Sequence, residues 1–170
     1  LADYAVAFGF GKPTGINLPE EAGGIVPTAA WKEETYGMAW YPGETLIAAI
    51  GQGYYLVTPL QQANMVAAVA NGGLLFRPML VDKVLDPRGE VLQDLTPEAL
   101  YTVSLKPETW AVIRKGLRGV VEKGTAAAAF QGFPVTVAGK TGTGETGTGT
   151  THAWFACYAP YDNPEVVVVV

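Results

Sequence analysis

The residues best suited to chemistry lie in Val137–Thr143, where a lysine and two threonines stand among glycines. A phosphate-binding loop has the pattern G-x-x-x-x-G-K-[ST] and opens a helix. Pro134 occupies the position of its first glycine, so that pattern is broken. The dinucleotide pattern G-x-G-x-x-G is present at Gly142, Gly144 and Gly147. It too must open a helix, whereas the residues that follow are typical of a strand.

A third interpretation takes Lys140-Thr141-Gly142 as one wall of an acyl-transfer site. Lys-Thr-Gly accompanies S-x-x-K and an S-x-N-type motif in the penicillin-recognising serine acyltransferases, where it lies on a strand. The triplet by itself is short, and an ordinary turn rich in glycine and threonine is the alternative. The decision therefore depends on the rest of the chain.

Three further blocks accompany the triplet, in an order typical of one protein family: Phe8–Ile16, Trp40–Gly73 and Thr151–Phe155. With the triplet, they resemble the transpeptidase domain of class B penicillin-binding proteins over nearly the whole chain. The forms Ile50-Gly51-Gln52-Gly53 and His152-Ala153-Trp154-Phe155 resemble the elongation type, penicillin-binding protein 2, more than the septal type.

The resemblance assigns roles to residues of this chain. Lys140 would supply a fixed positive charge, and the hydroxyls of Thr141 and Thr143 would hold a terminal carboxylate. The backbone N–H of Thr143 would be one oxyanion donor, while Gly142 would let an extended substrate add as a strand. A cleft-lining or buttressing role is expected for Gly51, Gln52 and Gly53.

The nucleophile is not in this sequence. Ser104 is the only serine, and Ser104-Leu105-Lys106 has the wrong spacing for S-x-x-K. The resemblance places S-x-x-K and S-x-N upstream of Leu1, so we expect the chain alone to be inactive. We expect residues 1–170 to be the C-terminal part of one transpeptidase domain, with the catalytic serine, a dimerisation or pedestal region and a membrane anchor upstream.

Composition excludes other classes of protein. Only 16% of residues are charged, the net charge is −5, and the basic residues do not cluster, which argues against a nucleic-acid partner. His152 and Cys157 are the only residues of their kinds and cannot build a His/Cys-rich metal cluster. We expect Cys157 in the core, His152 packed at a strand start rather than acting as a base, and no cofactor.

The pattern of elements predicts an α+β fold, with an antiparallel sheet covered by helices as in penicillin-binding proteins and β-lactamases. One helix should begin with Thr58 as cap and end at Gly72-Gly73, and an amphipathic helix should span Pro107–Lys123. A hairpin is expected at Met79–Leu85 and Glu90–Leu95, and three strands should follow at Val135–Thr141, His152–Tyr158 and Glu165–Val170. The Gly144–Gly149 loop is either a gate over the groove or a flexible connection.

The resemblance implies a D,D-transpeptidase that cross-links peptidoglycan stem peptides through a serine acyl-enzyme and is a target of β-lactams. It also implies a role in cell elongation, an anchor in the bacterial cytoplasmic membrane, and a membrane glycan polymerase of the rod-shape (SEDS) type as partner. Two alternatives remain open: a β-lactamase or D,D-carboxypeptidase of the same fold, and a non-enzymatic domain that senses β-lactams.

Overall fold

The computed structural model describes residues 1–147 and 149–170 and has the predicted α+β architecture. Its helices are α1 (Ala2–Ala7), α2 (Ala29–Tyr36), α3 (Pro42–Ala49), α4 (Pro59–Asn71) and α5 (Pro107–Glu122), followed by a 3₁₀ turn at Ala127–Phe130. Its strands are β1 (Leu74–Phe76), β2 (Lys83–Leu85), β3 (Val91–Asp94), β4 (Ala99–Thr102), β5 (Ala138–Glu145), β6 (Thr151–Ala159) and β7 (Val166–Val169).

Helix α4 begins and ends where the sequence predicts. The Thr58 hydroxyl accepts a hydrogen bond from the Gln61 backbone N–H, and the Gln61 side chain accepts one from the Thr58 N–H. This reciprocal pair satisfies two of the donors that a helix start leaves unpaired. Gly72 ends the helix with φ +88°, a left-handed conformation that suits glycine.

Helix α5 also confirms its predicted face, since Trp110, Ile113, Leu117, Val120 and Val121 lie on its more buried side. The hairpin is confirmed as β2 paired with β3, although both strands are shorter than predicted and all of their residues are exposed. A separate pair, β1 with β4, was not predicted.

The main sheet is antiparallel with the order β5-β6-β7. All eight residues of β5 pair with β6, from Ala138 opposite Tyr158 to Glu145 opposite Thr151. The predicted end of this strand at Thr141 is therefore wrong, because cross-strand pairing carries the strand four residues further despite its glycines.

Two clusters of buried side chains form the core around the start of β5. One joins Val66 and Ala70 of α4 to Ala138 and Tyr158. The other contains Val121 at the end of α5, together with Ala126, Val137 and Cys157. Because neighbouring residues of a strand point to opposite faces, Val137 and Ala138 anchor β5 on both sides and fix the position of the residues that follow.

Candidate functional site

The residues from Lys140 to Thr143 lie in the middle of β5, which is an edge strand. Among the described residues, β5 pairs with β6 on one side and with no strand on the other. An extended ligand could therefore add to the outer main-chain groups of β5 as a further strand.

The Lys140 side chain lies along this outer edge. Its ammonium donates a hydrogen bond of 2.6 Å to the backbone carbonyl of Thr141, and the residue is exposed. An ammonium has three donors, and this is the one hydrogen bond that the Lys140 ammonium makes within the described part of the chain. The charge is thus held at the strand edge with donors still available to a ligand.

Thr141 and Thr143 point to the same face of β5, since one residue separates them. The Thr141 hydroxyl lies 2.8 Å from the hydroxyl of Thr125, in the turn that follows α5. Sequence reasoning missed Thr125, because nothing in its local pattern indicates which strand the end of the helix meets.

Gly142 has room for a side chain. A Cβ atom at this position would lie 3.4 Å from the Trp154 Cβ, which is ordinary contact. Gly139 is different, since its Cβ would come within 2.7 Å of the Cys157 Cβ. The packing of the fold therefore requires glycine at 139 but not at 142, which leaves ligand approach as a reason for Gly142.

Gln52 reaches β5 from the connection between α3 and α4. Its side-chain Nε2 donates to the Thr143 carbonyl at 2.7 Å, and its Oε1 accepts from the Glu145 backbone N–H at 3.3 Å. The flanking residues Gly51 and Gly53 both have positive φ, at +76° and +79°, so the connection turns sharply and presents the side chain between them.

A buried cation fixes the base of that connection. Lys32 is fully buried, and its ammonium donates to the Glu44 carboxylate at 2.5 Å and to the Ala39 carbonyl at 2.8 Å. It also lies 4.4 Å from the centre of the Tyr41 ring. The hydrogen bond from Lys32 lowers the pKa of Glu44 below its ordinary 4.5. Glu44 accepts a further bond from the Tyr54 hydroxyl at 3.2 Å, which ties the network to a residue two positions after Gln52.

The remaining candidates are accounted for by position. Cys157 is buried as predicted, and burial raises the pKa of its thiol. His152 lies at the start of β6 opposite Gly144 but is exposed, so the expectation that it packs there is wrong; its partner has no side chain to cover it. Ser104 is exposed between β4 and α5.

The described residues contain no group of metal-ligating side chains. The Gly144–Gly149 loop includes Thr148, which lies outside the described residues.

Comparison with known proteins identifies the family of this site. The family model of the penicillin-binding protein transpeptidase domain matches residues 1–170. The chain belongs to this family. It is 36% identical to the peptidoglycan D,D-transpeptidase MrdA of Haemophilus influenzae, over all of this chain and 29% of that protein. The relatives indicate the penicillin-binding protein 2 type within the family, and the predicted fold class is confirmed.

Two solved structures support the same assignment. Penicillin-binding protein 2 of Pseudomonas aeruginosa, in complex with WCK 5153, is 35% identical with a TM-score of 0.84, over 99% of this chain and 37% of that one. A chain from a peptidoglycan synthase complex that coordinates polymerization and crosslinking is 41% identical with a TM-score of 0.85, over 99% and 28%. The chain spans less than a third of the length of the Haemophilus relative.

Proposed function

We propose that this chain forms part of an elongation-type peptidoglycan D,D-transpeptidase, which forms its acyl-enzyme on a serine outside residues 1–170. The observation that carries the proposal is the placement of Lys140, Thr141 and Thr143 along the edge of β5 that faces away from β6, which no strand of the described residues covers. This edge lies in a chain that matches the transpeptidase family from end to end.

The geometry supports a separate role for each of these groups in acyl transfer. The serine oxygen attacks the carbonyl carbon of the penultimate D-alanine, the terminal D-alanine leaves, and an amine of a second stem peptide takes the acyl group. Lys140 and the two threonine hydroxyls hold the terminal carboxylate of the donor peptide, or that of a β-lactam. The Thr143 N–H stabilises the developing oxyanion, because it lies on the same outer edge as the Thr143 carbonyl that Gln52 contacts.

The partner and the location follow from the same proposal. A similar chain belongs to a complex that coordinates polymerization and crosslinking, which supports a membrane glycan polymerase of the rod-shape type as the partner. The domain would work on the outer side of the cytoplasmic membrane, held there by a segment outside residues 1–170. In the part of the chain that the structure describes, no helix is long and apolar enough to cross a bilayer.

The test uses the full-length protein with a donor and an acceptor stem peptide. A transpeptidase releases D-alanine and forms the cross-linked product in equal amounts. A carboxypeptidase releases D-alanine without cross-links, a β-lactamase turns over penicillin rapidly, and a sensor becomes acylated and does neither. Absence of cross-linked product together with any one of the last three patterns would overturn the proposal.

A further inference from the structure

The Gln52 side chain makes two hydrogen bonds to β5 of the kind that a neighbouring strand would make. Its amide N–H donates to the Thr143 carbonyl and its amide oxygen accepts from the Glu145 N–H. Both groups lie on the outer edge of β5, where an added strand would donate and accept in the same way. Because a carbonyl only accepts and an N–H only donates, these two partners also distinguish the Nε2 end of the Gln52 amide from the Oε1 end.

We propose, on the basis of the function proposed above, that Gln52 is a specificity-determining residue that occupies the position a ligand amide takes on β5. A ligand whose amide N–H pairs with the Thr143 carbonyl must first displace the Gln52 side chain. Gln52 therefore sets how strongly the site prefers ligands that carry such an amide over ligands that do not.

The structure allows this exchange without a change of fold. Gln52 is half-buried and its contacts with β5 come from the end of its own side chain. The turn around it is held independently of the side chain. The Gln52 backbone N–H donates to the Ile47 carbonyl at 3.1 Å, and the Tyr54 hydroxyl donates to Glu44. Rotation of the Gln52 side chain alone would uncover the Thr143 carbonyl.

The gain that a ligand obtains from its amide depends on whether Gln52 is present. In the wild-type protein an amide-bearing ligand replaces one protein hydrogen bond by another, so the gain from its amide is small. Without the Gln52 amide, the ligand amide replaces only water at Thr143. The difference is the net value of one hydrogen bond, which corresponds to roughly a two- to tenfold change in an equilibrium or rate ratio.

The experiment compares benzylpenicillin, which carries a side-chain amide N–H, with penicillanic acid, which has the same ring system and carboxylate but no such side chain. Second-order acylation rates are measured on the full-length protein as wild type, Gln52→Ala and Gln52→Asn, the last being too short to reach β5. Gln62→Ala on α4 is the matched control, because no hydrogen bond joins the Gln62 side chain to β5 among the described contacts.

We expect Gln52→Ala and Gln52→Asn to raise the benzylpenicillin rate by about two- to tenfold and to leave the penicillanic acid rate unchanged, with no effect of Gln62→Ala. An equal fall for both ligands would show that Gln52 only supports β5, and a fall for benzylpenicillin alone would show that it binds the ligand directly. Either result, or unchanged rates, overturns this inference while the proposed function stands. A wild-type protein that neither ligand acylates overturns both.

Discussion

The hydroxyl oxygens of Thr125 and Thr141 lie 2.8 Å apart, and so one of them must donate to the other. Each hydroxyl has a single proton to donate. If Thr141 donates to a ligand carboxylate, as proposed, its contact with Thr125 is satisfied only when Thr125 is the donor. Thr125 would then direct the one proton of Thr141 towards the ligand, and the chain of hydrogen bonds would strengthen the bond to the carboxylate.

Replacing Thr125 by valine should therefore weaken acylation of the full-length protein although Thr125 does not touch the ligand. Loss of one neutral hydrogen bond corresponds to roughly a two- to tenfold fall in acylation efficiency. Thr125→Ser, which keeps the hydroxyl, should retain most of the wild-type rate. Equal rates for the valine and serine variants would show that the contact does not orient Thr141.

Lys140→Ala should reduce acylation far more, because it removes a charge held at the edge where we propose that the carboxylate binds. Loss of a pre-placed group in comparable sites costs about 2.7–4 kcal/mol, or roughly 100- to 1,000-fold in rate. Stopped-flow acylation by a fluorescent penicillin measures the effect, with Lys115→Ala on the exposed side of α5 as control. Near-normal kinetics in a folded Lys140→Ala protein would exclude the proposed role.

The elements that the sequence predicted well are those with local signals. Thr58, Pro59 and Gln61 define the start of α4 by contacts within one turn, and the apolar spacing of α5 defines its buried face. The extension of β5 to Glu145 could not be predicted this way, since glycine is a poor strand former and only pairing with β6 specifies it. Helix α3 was missed because Tyr41 stands at its cap, where Ser, Thr, Asp or Asn is the usual signal. Pro42 and Glu44, by contrast, are residues typical of a helix start.

The candidate site also combines residues that local sequence signals predict with contacts that they do not. The residue types and spacing of Lys140 to Thr143 were sufficient to propose a strand-borne wall. The contact of Gln52 with Thr143 joins residues 91 positions apart, and that of Thr125 with Thr141 depends on where α5 ends relative to the sheet. Such contacts arise from tertiary packing and leave no periodic trace in the sequence.

Gly139→Ala should destabilise the domain because the added methyl group has no room. It would lie 2.7 Å from the Cys157 Cβ, 2.8 Å from the Ala156 carbonyl oxygen and 2.9 Å from the Phe155 ring. Overpacking of this kind costs about 1–3 kcal/mol. Thermal unfolding of the full-length protein, followed through loss of penicillin acylation, measures it. Gly116→Ala is the matched control: its site in α5 is open, so the same change should stabilise by about 0.5–1 kcal/mol. Similar unfolding temperatures for both variants would contradict the close packing at Gly139.

Glu44→Gln should destabilise the fold in a pH-dependent way. The hydrogen bond from buried Lys32 lowers the pKa of Glu44 below 4.5, so the folded state favours the charged carboxylate. The contribution of Glu44 to the free energy of unfolding is complete above pH 4.5 and is lost as the pH falls through the lowered pKa. The unfolding temperature of the variant should lie below that of the wild type at pH 7, and the gap should narrow below pH 4.5. Exposed Glu34→Gln on α2 serves as control, and a gap independent of pH would exclude the ion pair as its cause.

Thr143→Val tests whether the site reads a free carboxylate. The change keeps the shape of the side chain and removes one donor, and a hydrogen bond to a charged group contributes about 1.5–3 kcal/mol. We expect roughly a 10- to 150-fold fall in acylation by a ligand with a free carboxylate, and a much smaller fall when that carboxylate is masked as an ester. The oxyanion donor proposed at this residue is its backbone N–H, which the substitution keeps, so measurable activity should remain. Equal losses for the free and the masked ligand would mean that the Thr143 hydroxyl only shapes the strand, and that the carboxylate is bound by Lys140 or by residues outside this chain.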